Sequence, residues 1–141
     1  MEYASLEGEP LAQFHGTGGT AQTYYVHASH LGTPELMTNA ARSVAWKIHT
    51  GAFGEAYQET GPATQRTRFP GQIADAGTGV SFNWHRYYDP SIGRYISADP
   101  IGQRGGVNLY TYTGNNPASK IDPSGLYFSV MGPRGPARDR V

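Results

Sequence analysis

Residues 85–102 read HRYYDPSIGRYISADPIG. Aromatic runs at Tyr87-Tyr88 and Arg94-Tyr95-Ile96-Ser97 flank Asp89-Pro90-Ser91-Ile92-Gly93. Proline early and glycine late suit a β-turn, since proline fixes φ and glycine accepts positive φ. The stretch therefore predicts two strands folded back on each other. Upstream, Gln72-Ile73-Ala74 and Val80-Ser81-Phe82-Asn83-Trp84 flank the loop Asp75-Ala76-Gly77-Thr78-Gly79, which predicts a hairpin. Its second strand is expected to run on through His85, Arg86, Tyr87 and Tyr88. Downstream, Val107 to Thr113 predicts a strand, Gly114-Asn115-Asn116-Pro117 a turn, and Pro117 to Ile121 one helical turn.

Toward the N-terminus the pattern persists, then fades. Thr23-Tyr24-Tyr25-Val26-His27 is β-branched and aromatic, a strand signal. HLGTP at residues 30–34 breaks it. A short strand follows over Glu35 to Thr38, and Ser43 to Ile48 returns beside it. With alternating side chains, Val44, Trp46 and Ile48 would share one face. The polar stretch Gln58 to Gln65 reads as a mobile loop. GTGGT at residues 16–20 reads as a flexible connector, and residues 1–22 are weakly patterned.

Composition agrees with short strands and many turns. The 141 residues include 19 Gly, 10 Pro and 10 Tyr against 5 Phe. Tyrosine favours sheets, while glycine and proline punctuate them. No long stripe of 3.6-residue period occurs, so little helix is expected. Hydrophobic residues are 38%, which predicts a modest core against the roughly 45–50% apolar share of globular domains, a share that counts glycine. The length suits one domain.

Several function classes find no support. Eleven Lys and Arg balance eleven Asp and Glu, so no basic excess awaits a nucleic-acid backbone. Cysteine is absent, which excludes disulfides and thiolate chemistry. The glycine loops lack the GK[ST] and helix context of a phosphate cradle, and no serine sits in an elbow motif. His27 and His30 lack further ligand spacing, so no metal and no cofactor are expected. The start MEYASLEGEP has neither the basic end nor the apolar stretch of a Sec signal, and no run of about 18 apolar residues predicts a membrane span. Trp46, Trp84 and the tyrosine pairs could form a ligand platform, but sheet packing, with one tyrosine of each pair inward, is the simpler expectation.

One element recurs. Asp-Pro followed closely by Gly occurs at Asp89-Pro90, Asp99-Pro100 and Asp122-Pro123. Aspartate can accept hydrogen bonds from the turn backbone. Units of roughly 20 residues suggest a quasi-repetitive sheet in which each unit leans on its neighbours. On the residues alone, these aspartates are either turn formers or carboxylates paired for acid–base work. Arg86 or Arg94 could orient a carboxylate, or could pair and stack at the surface.

YYVHASHLGTPELMTN (residues 24–39), VAWKIHTGAFGEA (44–56) and the stretch from Phe69 to Leu126, with HRYYDPSIGRYISADPIG, NLYTYTGNNP and the closing DPSGL, together resemble the RHS repeat-associated core domain. The resemblance covers about Tyr24 to Leu126. The chain departs from it at Thr50-Gly51, where the family usually has Tyr-Asp, and at Gln103-Arg104, within a stretch that often reads IGLAGG. The resemblance implies an all-β fold: a curved antiparallel strand-hairpin sheet with a coiled C-terminal plug, a terminal piece of a hollow RHS β-cocoon. In many members this core cleaves the chain just after DPxGL, by chemistry resembling an aspartyl protease, and frees a C-terminal toxin inside the shell.

Carried onto this chain, the resemblance makes Asp99 the leading catalytic candidate, with Asp89 the weaker second carboxylate and Arg94 or Arg86 orienting. Asp122, Pro123, Gly125, Leu126 and Tyr127 form the cleavage motif. Residues 1–22 are then an N-terminal segment, 23–126 the core module and 127–141 a short tail at the toxin position. That tail, YFSVMGPRGPARDRV, is too short for an ordinary toxin domain, so the sequence reads as a fragment or an orphaned gene end. Expected partners are the remainder of the shell and a toxin, with self-association through open strand edges. The resemblance implies secretion or delivery by a secretion system; a fragment would stay cytoplasmic. The rival expectation is a non-catalytic structural remnant.

Overall fold

The computed structural model describes residues 2–6, 9–18, 21–132 and 135–137. The fold is all-β, in three antiparallel sheets. Six strands follow one another in chain order as a meander: β1 (Glu2–Leu6), β2 (Glu9–His15), β3 (Gln22–Ala28), β4 (Pro34–Asn39), β5 (Val44–Thr50) and β6 (Ala56–Thr60). Register shifts interrupt four of the five pairings, at Ala4/Ser5, His27/Ala28, Met37/Thr38 and His49/Thr50. Bulges of this kind bend a strand and increase its twist. The core of this sheet is Tyr24, Met37, Ala45, Trp46, Ile48 and Ala63, with Val26 packed against it.

A smaller sheet follows, ordered β10-β9-β8-β7, from β7 (Ile73–Ala74), β8 (Ser81–Asn83), β9 (Arg86–Asp89) and β10 (Arg94–Tyr95). Behind it lie Tyr88, Tyr95 and Tyr112, with Phe69 stacked on Tyr112 at 5.3 Å between centroids. The Tyr88 hydroxyl donates to the Phe53 carbonyl (2.7 Å), tying this core to the loop after β5. The third sheet is β11 (Lys120–Ile121), β12 (Ser129–Gly132) and β13 (Gly135–Ala137). Among the described residues, helix is limited to 3-10 turns such as Gly102–Gly105 and Thr113–Asn115.

Several expectations need correction. The chain does not run straight from Ser81 to Tyr88. Trp84, at φ 54°, and His85 make a two-residue reversal, with Asn83 opposite Arg86. Val107 to Thr113 is not a strand. Asn108 Oδ1 accepts the Tyr110 N–H (3.1 Å) and Asn108 O accepts the Thr111 hydroxyl (3.0 Å), so side-chain turn chemistry outcompetes the ladder. Residues 117–119 form a turn that leads into β11, with no α-helical turn.

The polar stretch from Gln58 to Gln65 is a loop only from residue 61 onward, and it is anchored to the sheet. It begins inside β6, whose five residues are all exposed because it is an edge strand, and ends with Ala63 and Gln65 buried. Residues 1–22 supply β1 and β2, whose strand character lies in backbone pairing and leaves little alternation to read. Val44 does not share the face of Trp46 and Ile48. The bulge opposite Met37/Thr38 turns Val44 out to 57% exposure. The pairs Tyr24-Tyr25 and Tyr87-Tyr88 do divide as expected, with Tyr24 and Tyr88 inward. The expected connector lies partly outside the described residues at Gly19 and Thr20, as do residues 133–134 and 138–141 of the tail.

Candidate functional site

All three Asp-Pro aspartates use Oδ1 to close the turn that follows them, Asp89 and Asp99 on the N–H two residues on and Asp122 on those three and four residues on. Asp89 Oδ1 accepts the Ser91 N–H (2.9 Å), Asp99 Oδ1 the Ile101 N–H (3.0 Å), and Asp122 Oδ1 the N–H groups of Gly125 (2.8 Å) and Leu126 (3.1 Å). They differ at the second oxygen. At Asp99 and Asp122, Oδ2 turns inward to one guanidinium. Arg86 Nη2 lies 2.9 Å from Asp99 Oδ2 and 3.4 Å from Asp122 Oδ2. All three side chains are buried, at 3–4% exposure. Asp89 instead is half-buried, and its Oδ1 also accepts the Ser91 hydroxyl (2.6 Å).

Strand alternation explains why Arg86, and not Arg94, reaches the carboxylates. On β9, Arg86 and Tyr88 face inward and Tyr87 outward; on β10, Tyr95 faces inward and Arg94 outward. Arg86 stacks over the Tyr95 ring at 3.6 Å to its centroid. Its remaining nitrogens are used: Nε donates to Gly125 O (2.5 Å) and Nη1 to Leu109 O (3.0 Å). Arg94, opposite Asp89 across the ladder, is exposed, so the structure brings neither Arg94 nor Asp89 into this cluster.

Sequence reasoning missed two members, Asn83 and Tyr95. The Tyr95 hydroxyl donates to Asp122 Oδ2 (2.8 Å) and accepts from Asn83 Nδ2 (2.7 Å). Asn83 Nδ2 also donates to Asp122 O (2.9 Å). Burial pushes the Asp122 carboxyl above its ordinary range; the Tyr95 hydrogen bond, Arg86 and the amides of Gly125 and Leu126 pull against it. Burial, then the nearby Asp122 charge, pushes the Tyr95 and Tyr112 hydroxyls far above the usual tyrosine range.

The expected cleavage motif surrounds this cluster. Gly125, at φ 73°, lies where a Cβ would collide with the Asn83 carbonyl, so only glycine lets the turn press against β8. Leu126 is half-buried, whereas Pro123 and Tyr127 are exposed. Beyond Tyr127, Lys120 Nζ sits 4.3 Å from the centroid of the Phe128 ring. The histidines named earlier stand elsewhere: His27 Nε2 is 3.0 Å from Thr38 Oγ1, and His30 Nε2 is 3.0 Å from Ala118 O. Among the described residues no helix is long and apolar enough to cross a membrane.

Comparison with known proteins accounts for most of the chain. Residues 19–118 match the Teneurin YD-shell family. Toxin protein Tse5 of Pseudomonas aeruginosa is 39% identical over 128 residues, 90% of this chain and 10% of that protein. Double-stranded DNA deaminase toxin A of Burkholderia cenocepacia is 40% identical over 119 residues, 80% of this chain and 8% of that protein. The crystal structure of TcdB2-TccC3 is similar with a TM-score of 0.69 at 26% identity, covering 84% of this chain and 7% of that one. The chain thus spans a tenth or less of the length of each of these relatives.

Proposed function

The chain belongs to the Teneurin YD-shell family, and from that premise we propose that it is the C-terminal core and plug of an RHS toxin-encapsulating shell that cuts its own backbone between Leu126 and Tyr127. A shell-related role follows from the family and from its toxin relatives. The cut is the finer reading, with residues 23–126 as the core module and residues 127–141 as the released tail. Its partners in this reading are the remaining shell and a toxin.

One observation carries the cut: Arg86 gathers Asp99, Asp122 and the Gly125 carbonyl beside the expected bond. In this reading Asp99 is the base. It takes a proton from water as the water oxygen adds to the Leu126 carbonyl carbon. The C–N bond to Tyr127 then breaks and the proton passes to the Tyr127 nitrogen. A Leu126 carboxylate and a free Tyr127 amine result. Asp122, in place of Asp89, is the second carboxylate: it holds the 125–126 amides and fixes the turn that presents the bond. Arg86 offsets one of the two negative charges, which lets both carboxylates sit in a buried site.

A non-catalytic reading has its own support, because protein oxygens engage all three Arg86 nitrogens, as in a structural clasp. Intact mass with N-terminal sequencing of the small product separates the two. Self-cleavage is expected to give a product that begins at Tyr127, and Asp99→Asn is expected to stop the cut while the melting curve still reports a folded protein. A wild-type chain that folds and stays whole favours the clasp. Full cutting by folded Asp99→Asn removes Asp99 from the role of base.

A further inference from the structure

We infer that Gly105 is a positioning residue for this cut, its missing side chain keeping open the space that the Asp99 carboxylate and the Leu126 carbonyl share. The inference rests on the cleavage reading above. Gly105 closes the 3-10 turn Gly102–Gly105, just after the Asp99-Pro100 turn. A Cβ there would overlap Asp99 Oδ2 and lie 3.0 Å from Asp99 Cγ and 3.1 Å from Leu126 O. The base and the carbonyl it serves therefore border one glycine.

Conformation does not demand glycine here. Gly102 and Gly106 sit at φ 64° and 141°, with nothing within 4 Å of a Cβ, so backbone shape calls for glycine at those two positions. Gly105 is not among the positive-φ glycines, so an L-residue suits its backbone and only the two neighbours oppose one.

Neither neighbour can give way without changing the geometry of the cut. Asp99 Oδ1 holds the Ile101 N–H and Oδ2 holds Arg86 at 2.9 Å, so turning the carboxylate breaks a contact that sets its direction. The peptide that leads into Leu126 is anchored at both its polar atoms, the Leu126 N–H by Asp122 Oδ1 and the Gly125 carbonyl by Arg86 Nε, so the Leu126 carbonyl can yield only by turning about its own Cα–C bond, which re-aims the bond to be cut. One methyl group at position 105 would therefore shift the base relative to the bond while removing no carboxylate from the chain. The displacement needed is a few tenths of an ångström to about 1 Å, and misplacement on that scale can cost about a hundredfold in rate.

The test follows cutting of wild type, Gly105→Ala and Gly77→Ala by intact mass over time and across pH, with a melting curve on each sample. Gly77 is a control in the β7–β8 loop, where a Cβ meets only Asp75 Oδ1 at 3.5 Å. The expectation is that wild type and Gly77→Ala cut alike, while Gly105→Ala cuts about a hundredfold more slowly and with a pH–rate profile of altered shape, because the Asp99–Arg86 contact is disturbed. Destabilisation alone would scale the rate by the folded fraction and leave that shape unchanged. Wild-type cutting by Gly105→Ala, or a deficit that tracks its folded fraction, overturns the role of Gly105. A folded wild-type chain that stays whole overturns the cleavage reading itself, and this inference with it.

Discussion

In the six-stranded meander the buried side chains are mostly apolar: Met37, Ala45, Trp46, Ile48 and Ala63, with Tyr24. Behind the smaller sheet they are three tyrosines, packed beside Asn83, Arg86, Asp99 and Asp122. The meander is held by consecutive ladders and a conventional hydrophobic face. The second region has strands of only two to four residues. Ladders that short supply little cohesion, so side chains must join segments distant in sequence. Arg86 does so, linking β9 to residues 99, 109, 122 and 125. A charged hub of this kind is costly to bury and costly to break, which makes the region sensitive to single polar changes in a way the meander is not.

Arg86→Ala is the substitution expected to do most damage. It leaves Asp99 and Asp122 buried without their cation, a loss of about 3–5 kcal/mol. Urea denaturation measures the loss, and hydrogen exchange locates it: protection should fall around residues 86–126 before it falls in the meander. Equal loss in both regions would show that the hub serves the whole molecule. Met37→Ala probes the other side of the comparison. Met37 is fully buried, and truncation there should cost about 2–5 kcal/mol through lost burial and the cavity left behind. Cutting after Leu126, scaled to the folded fraction, should be unchanged.

The two regions also differed in how far the sequence revealed them. Strands β3, β4 and β5 follow from β-branched and aromatic runs with breakers between them, because local pattern and burial coincide there. The edge strands β1 and β6 left little trace, since an exposed strand can carry any polar residue and its structure lies in backbone pairing. The hairpin at Trp84-His85 was illegible for a related reason. Two-residue loops are announced by Asn-Gly or Asp-Gly, and here a tryptophan takes the left-handed position. Asp99 and Asp122 stood out through their Asp-Pro turns, but their convergence is a tertiary fact that spacing does not contain. The choice of Arg86 over Arg94 was closer to hand: with Tyr88 and Tyr95 inward, alternation turns Arg86 in and Arg94 out. The sequence lacked only the phase of each strand.

Tyr95→Phe should have an intermediate effect, about 1.5–3 kcal/mol, since it removes a hydrogen bond to a charged partner. The tyrosine core also makes a prediction about pH. Burial, with the charge of Asp89 or Asp122 behind it, raises the hydroxyls of Tyr88, Tyr95 and Tyr112 above their ordinary value near 10. A group whose folded pKa is raised contributes stability that is fully present below the unfolded pKa and is lost as pH rises above it. Stability should therefore decline above about pH 10. Absorbance near 295 nm, followed alongside circular dichroism, should show these three tyrosines ionising only as the protein unfolds. Ionisation of all ten near pH 10 in a folded chain would mean that this core is wet.

Asp89→Ala should have the smallest effect, and it separates turn chemistry from the hub. Asp89 carries the same Asp-Pro signature as Asp99 and Asp122, and like theirs its Oδ1 accepts backbone N–H in the turn that follows, at the same spacing as Asp99. It differs in having Ser91 as its side-chain partner where the other two have Arg86. Alanine there forfeits exposed hydrogen bonds that water can replace, so the expected cost is about 0.5–1 kcal/mol, at the low end for an intramolecular hydrogen bond. Cutting after Leu126 should be unaffected. A melting curve and a cleavage time course on the same sample read both quantities. If Asp89→Ala slowed cutting as Asp99→Asn is expected to, with the fold intact, the catalytic carboxylates would have to include one that faces away from Arg86. The division between a turn aspartate and a hub aspartate, which rests on where Oδ2 points, would then fail.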